Sequence, residues 1–450
     1  MTKKKFSLST TQIIMLSFLA MILVGSLLLS LPVSSADGEP VPYLDALFTA
    51  TTATCVTGLV TVPTVTTWST FGHAVILVLI QVGGLGVVTI MSAVMLLLHK
   101  RMGIGDRLLL QDAFNLNSLA GIVGFVKRVL LGTFLVEGVG ALLYMTVFIP
   151  EFGLRGIWIS VFTSISAFCN AGIDIIAEDS LCGYATNPMI NTVTSLLIIL
   201  GGMGYIVWWD VLGLGRETKK RRRFRDLSLH SKIAISTTLI LIFGGGLLIF
   251  LFEYHNPKTI GDMSLLDKLQ VSLFQSVTTR TAGFASVAQQ DLTNASSMLC
   301  LLLMFIGGSP VGTAGGIKTV TLAVLVVSAL ATIREKQEVS LFHRNISKQA
   351  VKKAVAVTMM SFGIMFAATI ALSAVTDADA LDVLYETVSA TATVGLTRNL
   401  TPYLNTAGKA IIIGTMYLGR VGPISLALAL NSKKKNQNII KNPTEEISVG

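Results

Sequence analysis

The sequence predicts an all-helical protein that crosses a membrane several times and consists of four tandem repeats. Of its 450 residues, 52% are hydrophobic and only 13% are charged, which is about half the charged fraction of a soluble domain. Apolar runs long enough to cross a bilayer recur from end to end without alternating, and this favours helices over a transmembrane β-barrel. Two glycine landmarks recur four times in the same order and give the repeat.

Eight membrane spans are predicted from the apolar runs. A signal peptide is the alternative for the first run, but that run reaches Leu31 without a small-x-small cleavage site beside its end. The predicted helices cover residues 11–31, 72–98, 121–148, 188–213, 231–254, 296–331, 351–374 and 405–431.

The basic residues orient these spans. Five segments on one face of the predicted topology hold 26 of the 34 Lys and Arg residues. The positive-inside rule places this face, with both termini, on the cytoplasmic side of a cell membrane. The run Lys219–Arg225 on this face is predicted to orient the chain and to meet lipid, with docking of a cytoplasmic partner as the alternative. Because the charge lies at the membrane, it gives no indication of nucleic-acid binding.

Each pair of predicted helices encloses an external segment that is too short to span and too apolar for a plain loop. Each segment holds an amphipathic stretch and a run of small residues that ends at Gly58, Gly172, Gly283 or Gly395, with spacings of 114, 111 and 112 residues. A second landmark follows 24 to 29 residues later and begins at residues 83, 201, 307 and 419. The predicted repeats therefore cover residues 1–113, 114–226, 227–340 and 341–450.

A re-entrant half-helix and a glycine turn are predicted in each external segment. Irregular backbone at membrane depth is tolerated only where it is buried in protein or lines a wet cavity. Four turns around one axis would form a filter of carbonyl oxygens that replace the hydration shell of a small cation. For any one turn taken alone, a short external loop is the alternative. The predicted filter residues are Val56, Thr57, Gly58, Asn170, Ala171, Gly172, Thr281, Ala282, Gly283, Thr393, Val394 and Gly395.

The stretch GGSPVGTAGGIKT at residues 307–319 interrupts the predicted sixth helix. Six of its 13 residues are Gly or Pro, which is too many for an unbroken helix. A loop that blocks the pore and moves aside is one interpretation, and a simple proline kink is the other. The predicted gate residues are Gly307, Gly308, Ser309, Pro310, Gly312, Thr313, Ala314, Gly315, Gly316, Lys318 and Arg420.

Several charged residues lie in or beside the predicted spans, where burial makes them functional candidates. Arg420 is predicted either to face the pore as a positive barrier or to pair with carbonyls of the broken helix, and Lys318 either to lie near the loop or to extend toward the cytoplasm. Arg280 is predicted to point away from the axis and to brace its half-helix through an acid. Glu137 is predicted to have a hydrogen-bonded structural role, and Arg398 lies close to the fourth filter segment.

The cysteine and histidine residues suggest neither disulfides nor a metal site. Cys55 and Cys169 lie at matching positions of two repeats, and small buried thiols are preferred to a disulfide there. The five His residues are scattered near helix ends.

These motifs resemble the Trk/Ktr/HKT superfamily of potassium transporters. The resemblance rests on the four filter glycines and on the interruption at 307–316, and it covers nearly the whole chain. Eight spans without an extra N-terminal pair are most similar to the bacterial Ktr membrane subunit (KtrB-like). The resemblance implies a potassium-channel-like fold, uptake of potassium, sodium as an activator, a homodimer, and a cytoplasmic ring of nucleotide-binding regulatory subunits (KtrA-like). It also implies that the interruption is a gate and that Arg420 is a barrier below the filter.

Two other classes of function are weighed against ion conduction. A secondary transporter with broken helices would show inverted repeats, whereas the four predicted repeats share one orientation. A membrane-embedded enzyme would need clustered His, Asp or Glu residues within its spans, and Glu137 is the one carboxylate in the interior of a predicted span. The chain also lacks a GxGxxG motif after a strand, so nucleotide control would come from another chain.

Overall fold

The computed structural model describes residues 9–98, 103–113, 121–213 and 224–422. Residues 219–223 of the basic run at 219–225, and the tail after residue 422, lie outside these ranges, so the two interpretations of that run stay predictions.

The described helices follow the order of the predicted repeats. Repeat one and its connection to repeat two contain α1 (Thr10–Leu29), α2 (Tyr43–Cys55), α3 (Thr64–Thr67), α4 (Thr70–Leu85), α5 (Val87–Leu97) and α6 (Ile104–Ala113). Repeat two contains α7 (Ile122–Phe152), α8 (Arg155–Cys169), α9 (Pro188–Met203) and α10 (Tyr205–Leu212). Repeat three contains α11 (Leu229–Glu253), α12 (Leu265–Thr278), α13 (Asn294–Phe305) and α14 (Thr319–Ile333). Repeat four contains α15 (Lys348–Ser373), α16 (Ala380–Ala392) and α17 (Thr406–Val421).

A short antiparallel hairpin of β1 (Ser340–Leu341) and β2 (Arg344–Asn345) connects α14 to α15, with Ser340 opposite Asn345. The predicted repeat boundaries themselves stay a prediction.

The first helix of each repeat is long and apolar enough to cross a membrane. These helices are α1, α7, α11 and α15, with lengths of 20, 31, 25 and 26 residues. Large apolar side chains on their outer faces, such as Leu131, Phe134 and Ile240, are exposed. Exposed apolar faces on long helices are expected where the surrounding solvent is lipid.

The half-helices α2, α8, α12 and α16 form the centre of the molecule. Each packs against the first helix of its own repeat. Each is anchored by a fully buried aromatic residue nine or ten positions before its filter glycine, namely Phe48, Phe162, Phe274 and Tyr385. The chain from these anchors to the glycines is almost entirely buried.

The second helix of each repeat packs against the half-helix of the next repeat. The contacts are α4 with α8, α9 with α12, and α13 with α16, and α17 of repeat four returns to α2 of repeat one. The repeats therefore close into a ring. Each second helix begins at a side-chain N-cap that accepts a backbone N–H, and these caps are Ser69, Asn187, Thr293 and Asn405.

The predicted continuous helices at 72–98 and 188–213 are wrong, because both bend by 96° at a glycine. Gly86 and Gly204 have φ values of 86° and 87°. They lie at the last position of the second landmark, which reads GGLG at residues 83–86 and GGMG at residues 201–204. A left-handed residue cannot continue a right-handed helix. The last glycine of the second landmark therefore ends a helix. In the same way, α17 ends at Gly422, where φ is 86°.

The interruption in the sixth helix is a loop, and residues 306–318 separate α13 from α14. A simple proline kink is therefore wrong, since Pro310 lies within a long non-helical segment. Backbone bonds between Gly307 and Ile317 and between Ile317 and Phe305 close the base of this loop.

Candidate ion-binding site

The four predicted filter turns have the same backbone conformation. The residue two positions before each glycine is left-handed, with φ of 55° at Val56, 59° at Asn170, 62° at Thr281 and 52° at Thr393. This conformation costs a residue with a side chain roughly 1–2 kcal/mol. Each filter glycine also has a positive φ, between 65° and 100°. The same strain at four equivalent places indicates that this backbone shape is required there.

The four turns meet around one axis in cyclic order. A Cβ added to Gly58 would lie 2.6 Å from the carbonyl oxygen of Ala171. A Cβ added to Gly172 would lie 2.5 Å from the Ala282 oxygen. One added to Gly283 would lie 2.5 Å from the Val394 oxygen, and one added to Gly395 would lie 2.3 Å from the Thr57 oxygen. Each glycine thus faces the carbonyl of the next repeat, and repeat four faces repeat one. Any side chain at these positions would collide with backbone.

The carbonyl oxygens of these turns have no protein partner. Within the described residues, none of the predicted filter residues accepts a hydrogen bond through its backbone oxygen, although they are almost completely buried. Buried carbonyls are normally paired with protein or water, because leaving them unpaired is costly. A cation on the axis would satisfy them, and the C-terminal ends of the four half-helices add negative potential at the same place.

Hydroxyl groups behind each turn hold its backbone in place. The N–H groups of Gly58 and Gly395 donate to Thr52 Oγ1 and Ser389 Oγ, at 2.9 and 3.0 Å. In repeats two and three, the hydroxyls of Ser166 and Thr278 instead donate to the carbonyls of Ile173 and Phe284, the residues after the glycines. These bonds fix the turns from the side that faces away from the axis.

The first glycine of the second landmark lets the second helix approach the end of the half-helix. A Cβ on Gly83, Gly201 or Gly419 would lie 2.0, 1.9 or 2.2 Å from the carbonyl oxygen four residues before the filter glycine. In these three repeats the two sequence landmarks therefore contact each other. In repeat three, Gly307 instead packs against Gly315 inside the loop.

The loop at 306–318 lies directly against the inner side of the filter. Thr313 Oγ1 donates to Asn170 Oδ1 at 2.8 Å and to the Phe168 carbonyl at 3.0 Å. The N–H of Gly315 donates to Thr281 Oγ1 at 3.1 Å, and a Cβ on Gly315 would lie 2.0 Å from Thr393 Oγ1. The loop thus contacts the filter turns of repeats two, three and four.

Two cationic side chains bind carbonyls of this loop. Arg420 donates to the carbonyls of Thr313 and Gly83, both at 2.6 Å, and so joins the loop to α4. Lys318 Nζ donates to the Ala314 carbonyl at 2.6 Å. The structure therefore has Arg420 paired with carbonyls, as one interpretation predicted, and also lining the cavity below the loop. Lys318 lies at the loop and does not extend away from it.

Two cavities lie on opposite sides of the filter. The inner one, of about 370 Å³, is lined by Gly312, Gly315, Lys318 and Arg420. The outer one, of about 290 Å³, is lined by all four filter glycines and by Asp174, Glu178 and Asp179. The loop lies between the filter turns and the inner cavity.

The outer cavity carries negative charge close to the filter. Burial raises the pKa of Asp174 to about 6, although hydrogen bonds from Ser180 and from the N–H of Ile176 oppose this shift. Carboxylates at the mouth of a pore attract cations from solution.

Arg280 and Glu137 have structural contacts. Arg280 donates to the Gly307 carbonyl at 3.2 Å and to Thr238 Oγ1 at 3.4 Å, so the acidic partner predicted for it is wrong. Its role is to join the third filter turn to the start of the loop. Glu137 accepts a hydrogen bond from Gln81 Nε2 at 3.2 Å behind repeat two. The four cysteines are free thiols.

Comparisons with known proteins give consistent results over the full chain. The family described as "TrkH: Cation transport protein" matches residues 3–441. The Ktr system potassium uptake protein B of Bacillus subtilis (strain 168) is 40% identical over 440 residues, covering 98% of this chain and 96% of the relative. The potassium/sodium uptake protein NtpJ of Enterococcus hirae is 38% identical over 449 residues, covering 98% of both.

The fold is also similar to a solved structure. The crystal structure of the potassium transporter TrkH from Vibrio parahaemolyticus matches with a TM-score of 0.75, covering 96% of this chain and 86% of that one. At 18% identity, this likeness establishes the fold alone.

Proposed function

Because the chain belongs to the TrkH family of cation transport proteins, we propose that it is the ion-conducting subunit of a potassium uptake system. The observation that carries the proposal is the closed ring of buried, unpartnered carbonyl oxygens at the four filter turns. Such oxygens replace the hydration shell of a monovalent cation. Relatives named for potassium uptake support potassium as the transported ion.

The proposed path runs from the acidic outer cavity through the filter to the inner cavity. An inside-negative potential supplies the driving force, at about 2.3 kcal/mol per charge per 100 mV. The loop at 306–318 is the proposed gate, and Arg420 and Lys318 hold it closed through its carbonyls. Opening requires these bonds and those of Thr313 to break.

The finer assignments belong to the same proposal. Sodium as an activator is supported by the relative named for potassium and sodium uptake. A homodimer and a cytoplasmic ring of regulatory subunits are part of the proposal, and the Ktr-type relatives, which are described as parts of a system, support a partner subunit. The proposed location is the cell membrane, with both termini in the cytoplasm because the basic segments lie on that side.

A secondary transporter is the second candidate function, because α4–α5 and α9–α10 are bent and α13–α14 is interrupted. One assay separates the two candidates. The purified chain is placed in liposomes across which an inside-negative voltage is set without valinomycin. Uptake of rubidium or potassium is then measured, with sodium as competitor. Voltage-driven uptake that favours potassium over sodium supports the proposal. Uptake that requires an organic solute, or equal uptake of both ions, contradicts it.

A further inference from the structure

Two ion pairs lie at equivalent positions on either side of repeat four. Asp45 Oδ1 is 2.5 Å from Lys409 Nζ, and Asp382 Oδ1 is 2.6 Å from Arg398 Nε. Asp45 and Asp382 each precede a filter glycine by 13 residues, on α2 and α16. The side chains are 12% to 29% exposed, so solvent screens these pairs only in part.

Each pair belongs to a cluster that joins three equivalent elements: a half-helix, the segment after its filter glycine, and the second helix of the preceding repeat in the ring. In the first cluster, Asp45 of the half-helix accepts hydrogen bonds from Thr61, three residues after Gly58, and from Lys409 of α17. We call Asp45, Thr61 and Lys409 the 4–1 clamp, because it ties repeat four to repeat one.

The second cluster joins the equivalent elements through different residues and contacts. Asp382 of the half-helix accepts from Arg398, three residues after Gly395, and Arg398 Nη1 donates to Ser297 Oγ of α13 at 2.8 Å. Ser297 and Lys409 are both the fourth residue of their helices. We call Asp382, Arg398 and Ser297 the 3–4 clamp. Its cation lies on the segment after the filter, whereas the cation of the 4–1 clamp lies on the helix.

The other two interfaces lack these charges. The matching positions are Ile159 and Ile175 in repeat two and Gln270 and Ser286 in repeat three. Gln270 Nε2 and Ser286 Oγ have no hydrogen-bond partner among the described residues. Charge is therefore placed at the two interfaces of repeat four. Connecting the equivalent elements through different residue types indicates that the connection itself is required.

We propose that the 4–1 clamp positions the first quarter of the filter and the 3–4 clamp the fourth quarter, and that the two clamps so determine the filter's preference for potassium over sodium. This inference rests on the proposed function. The clamps do not touch the ion; they are positioning residues that hold Thr61 and Arg398 only three residues from the filter glycines. Selectivity by carbonyl oxygens depends on their spacing and number, and charge-assisted hydrogen bonds fix spacing better than neutral ones.

The test measures the ratio of potassium to sodium uptake in liposomes that contain the full chain. Asp45→Asn, Lys409→Met, Asp382→Asn and Arg398→Met each break one pair, and Asp377→Asn changes an exposed acid of the same external region as a matched control. Each broken pair is expected to lower the ratio roughly three- to tenfold, as for side chains that are coupled through contact. The control keeps the wild-type ratio.

Exchanging the two charged residues of a pair shows whether selectivity depends on the contact between them or on one particular side chain. Asp45→Lys combined with Lys409→Asp, and Asp382→Arg combined with Arg398→Asp, are expected to recover most of the ratio. Folded single variants that keep the wild-type ratio overturn the inference, as do exchanged pairs that stay as unselective as the single variants.

Milder variants carry the same test if a broken pair prevents folding. Thr61→Val and Ser297→Ala each remove one hydrogen bond and leave the ion pair in place, and a smaller loss of the ratio is expected. An unchanged ratio in both overturns the inference. If the wild-type chain itself shows no preference for potassium, the proposed function fails instead, and that result is seen before any variant is compared.

Discussion

At the scale of single residues, the functional groups are backbone oxygens and the side chains mostly support them. The filter residues differ in sequence among the four repeats, and only the glycine is common to all. What repeats is the left-handed residue, the glycine, and the unpartnered carbonyls between them. The Thr-Val-Gly spelling of repeat four is thus one of four sequences that give one backbone shape.

Replacing Gly395 with Ser should damage the filter. The new Cβ would lie 2.3 Å from the Thr57 carbonyl oxygen and 2.9 Å from the Gly58 Cα, so the ring must widen. We expect the potassium-to-sodium uptake ratio in liposomes to fall by at least about tenfold, which corresponds to about 1.4 kcal/mol. Gly414→Ser on α17 is the matched control, because a Cβ there meets nothing within 4 Å. An unchanged ratio in the Gly395 variant would count against the filter.

Replacing Arg420 with Ala should loosen the gate. The change removes bonds to the carbonyls of Thr313 and Gly83, and hydrogen bonds to charged groups contribute about 1.5–3 kcal/mol each. We expect potassium uptake to rise several-fold at equal protein, while the exposed Arg344→Ala on the hairpin leaves it unchanged. Uptake equal to wild type would remove Arg420 from the gate.

At the scale of elements, the loop at 306–318 is held against the filter by hydrogen bonds from several repeats. Thr313, Gly315 and Ser309 attach it to repeats two and three, and Arg420 attaches it to repeat four. Shortening the loop removes the bonds of Thr313 and Gly315 to the filter turns and the material that lies between the filter and the inner cavity. Deleting residues 312–316 should therefore raise potassium uptake. If uptake stays the same or falls while the protein remains intact, the loop is not a gate.

The break at Gly204 also supports the closed loop. A Cβ at this position would lie 2.3 Å from the Pro310 carbonyl oxygen. Gly204→Ala should displace the loop and raise the basal uptake of potassium. Gly213→Ala is the control, since Gly213 also has a positive φ but a Cβ there meets nothing within 4 Å. Equal uptake in the two variants would mean that backbone strain alone causes the effect.

At the scale of the whole molecule, four repeats in one chain close a ring that a channel would build from four subunits. The ring is visible in the packing of α17 on α2 and in the order of the glycines and carbonyls. Because the repeats differ in sequence, each interface can be adjusted separately, as the two clamps of repeat four illustrate.

Much of this architecture could be predicted from the sequence, because glycine landmarks and apolar runs are local signals. The four filter turns and the interrupted sixth helix are examples. The bends at Gly86 and Gly204 lie outside the sequence prediction, because the second landmark serves there only to define the repeat. The clamp between Asp45 and Lys409 joins residues 364 positions apart, and no local pattern indicates such a contact. Arg280 was assigned an acidic partner because carbonyl partners leave no mark in a sequence.

Potassium should stabilise the folded protein if it binds the ring. A ligand present at 100 times its dissociation constant adds about 2.7 kcal/mol to the free energy of unfolding. We expect the melting temperature of the detergent-solubilised chain to rise with potassium or rubidium, and to rise less with sodium at the same ionic strength. Gly395→Ser should lose this difference, while Gly414→Ser keeps it. Identical melting temperatures in all salts would contradict binding at the filter.

The most direct measurement is anomalous diffraction from crystals of the protein grown with rubidium. A single-chain ring of carbonyls predicts a rubidium peak on the axis between the four filter turns, within coordinating distance of oxygens from all four repeats. No peak at that position in crystals that show ordered rubidium elsewhere, or a peak held by one or two repeats beside the axis, would contradict the account.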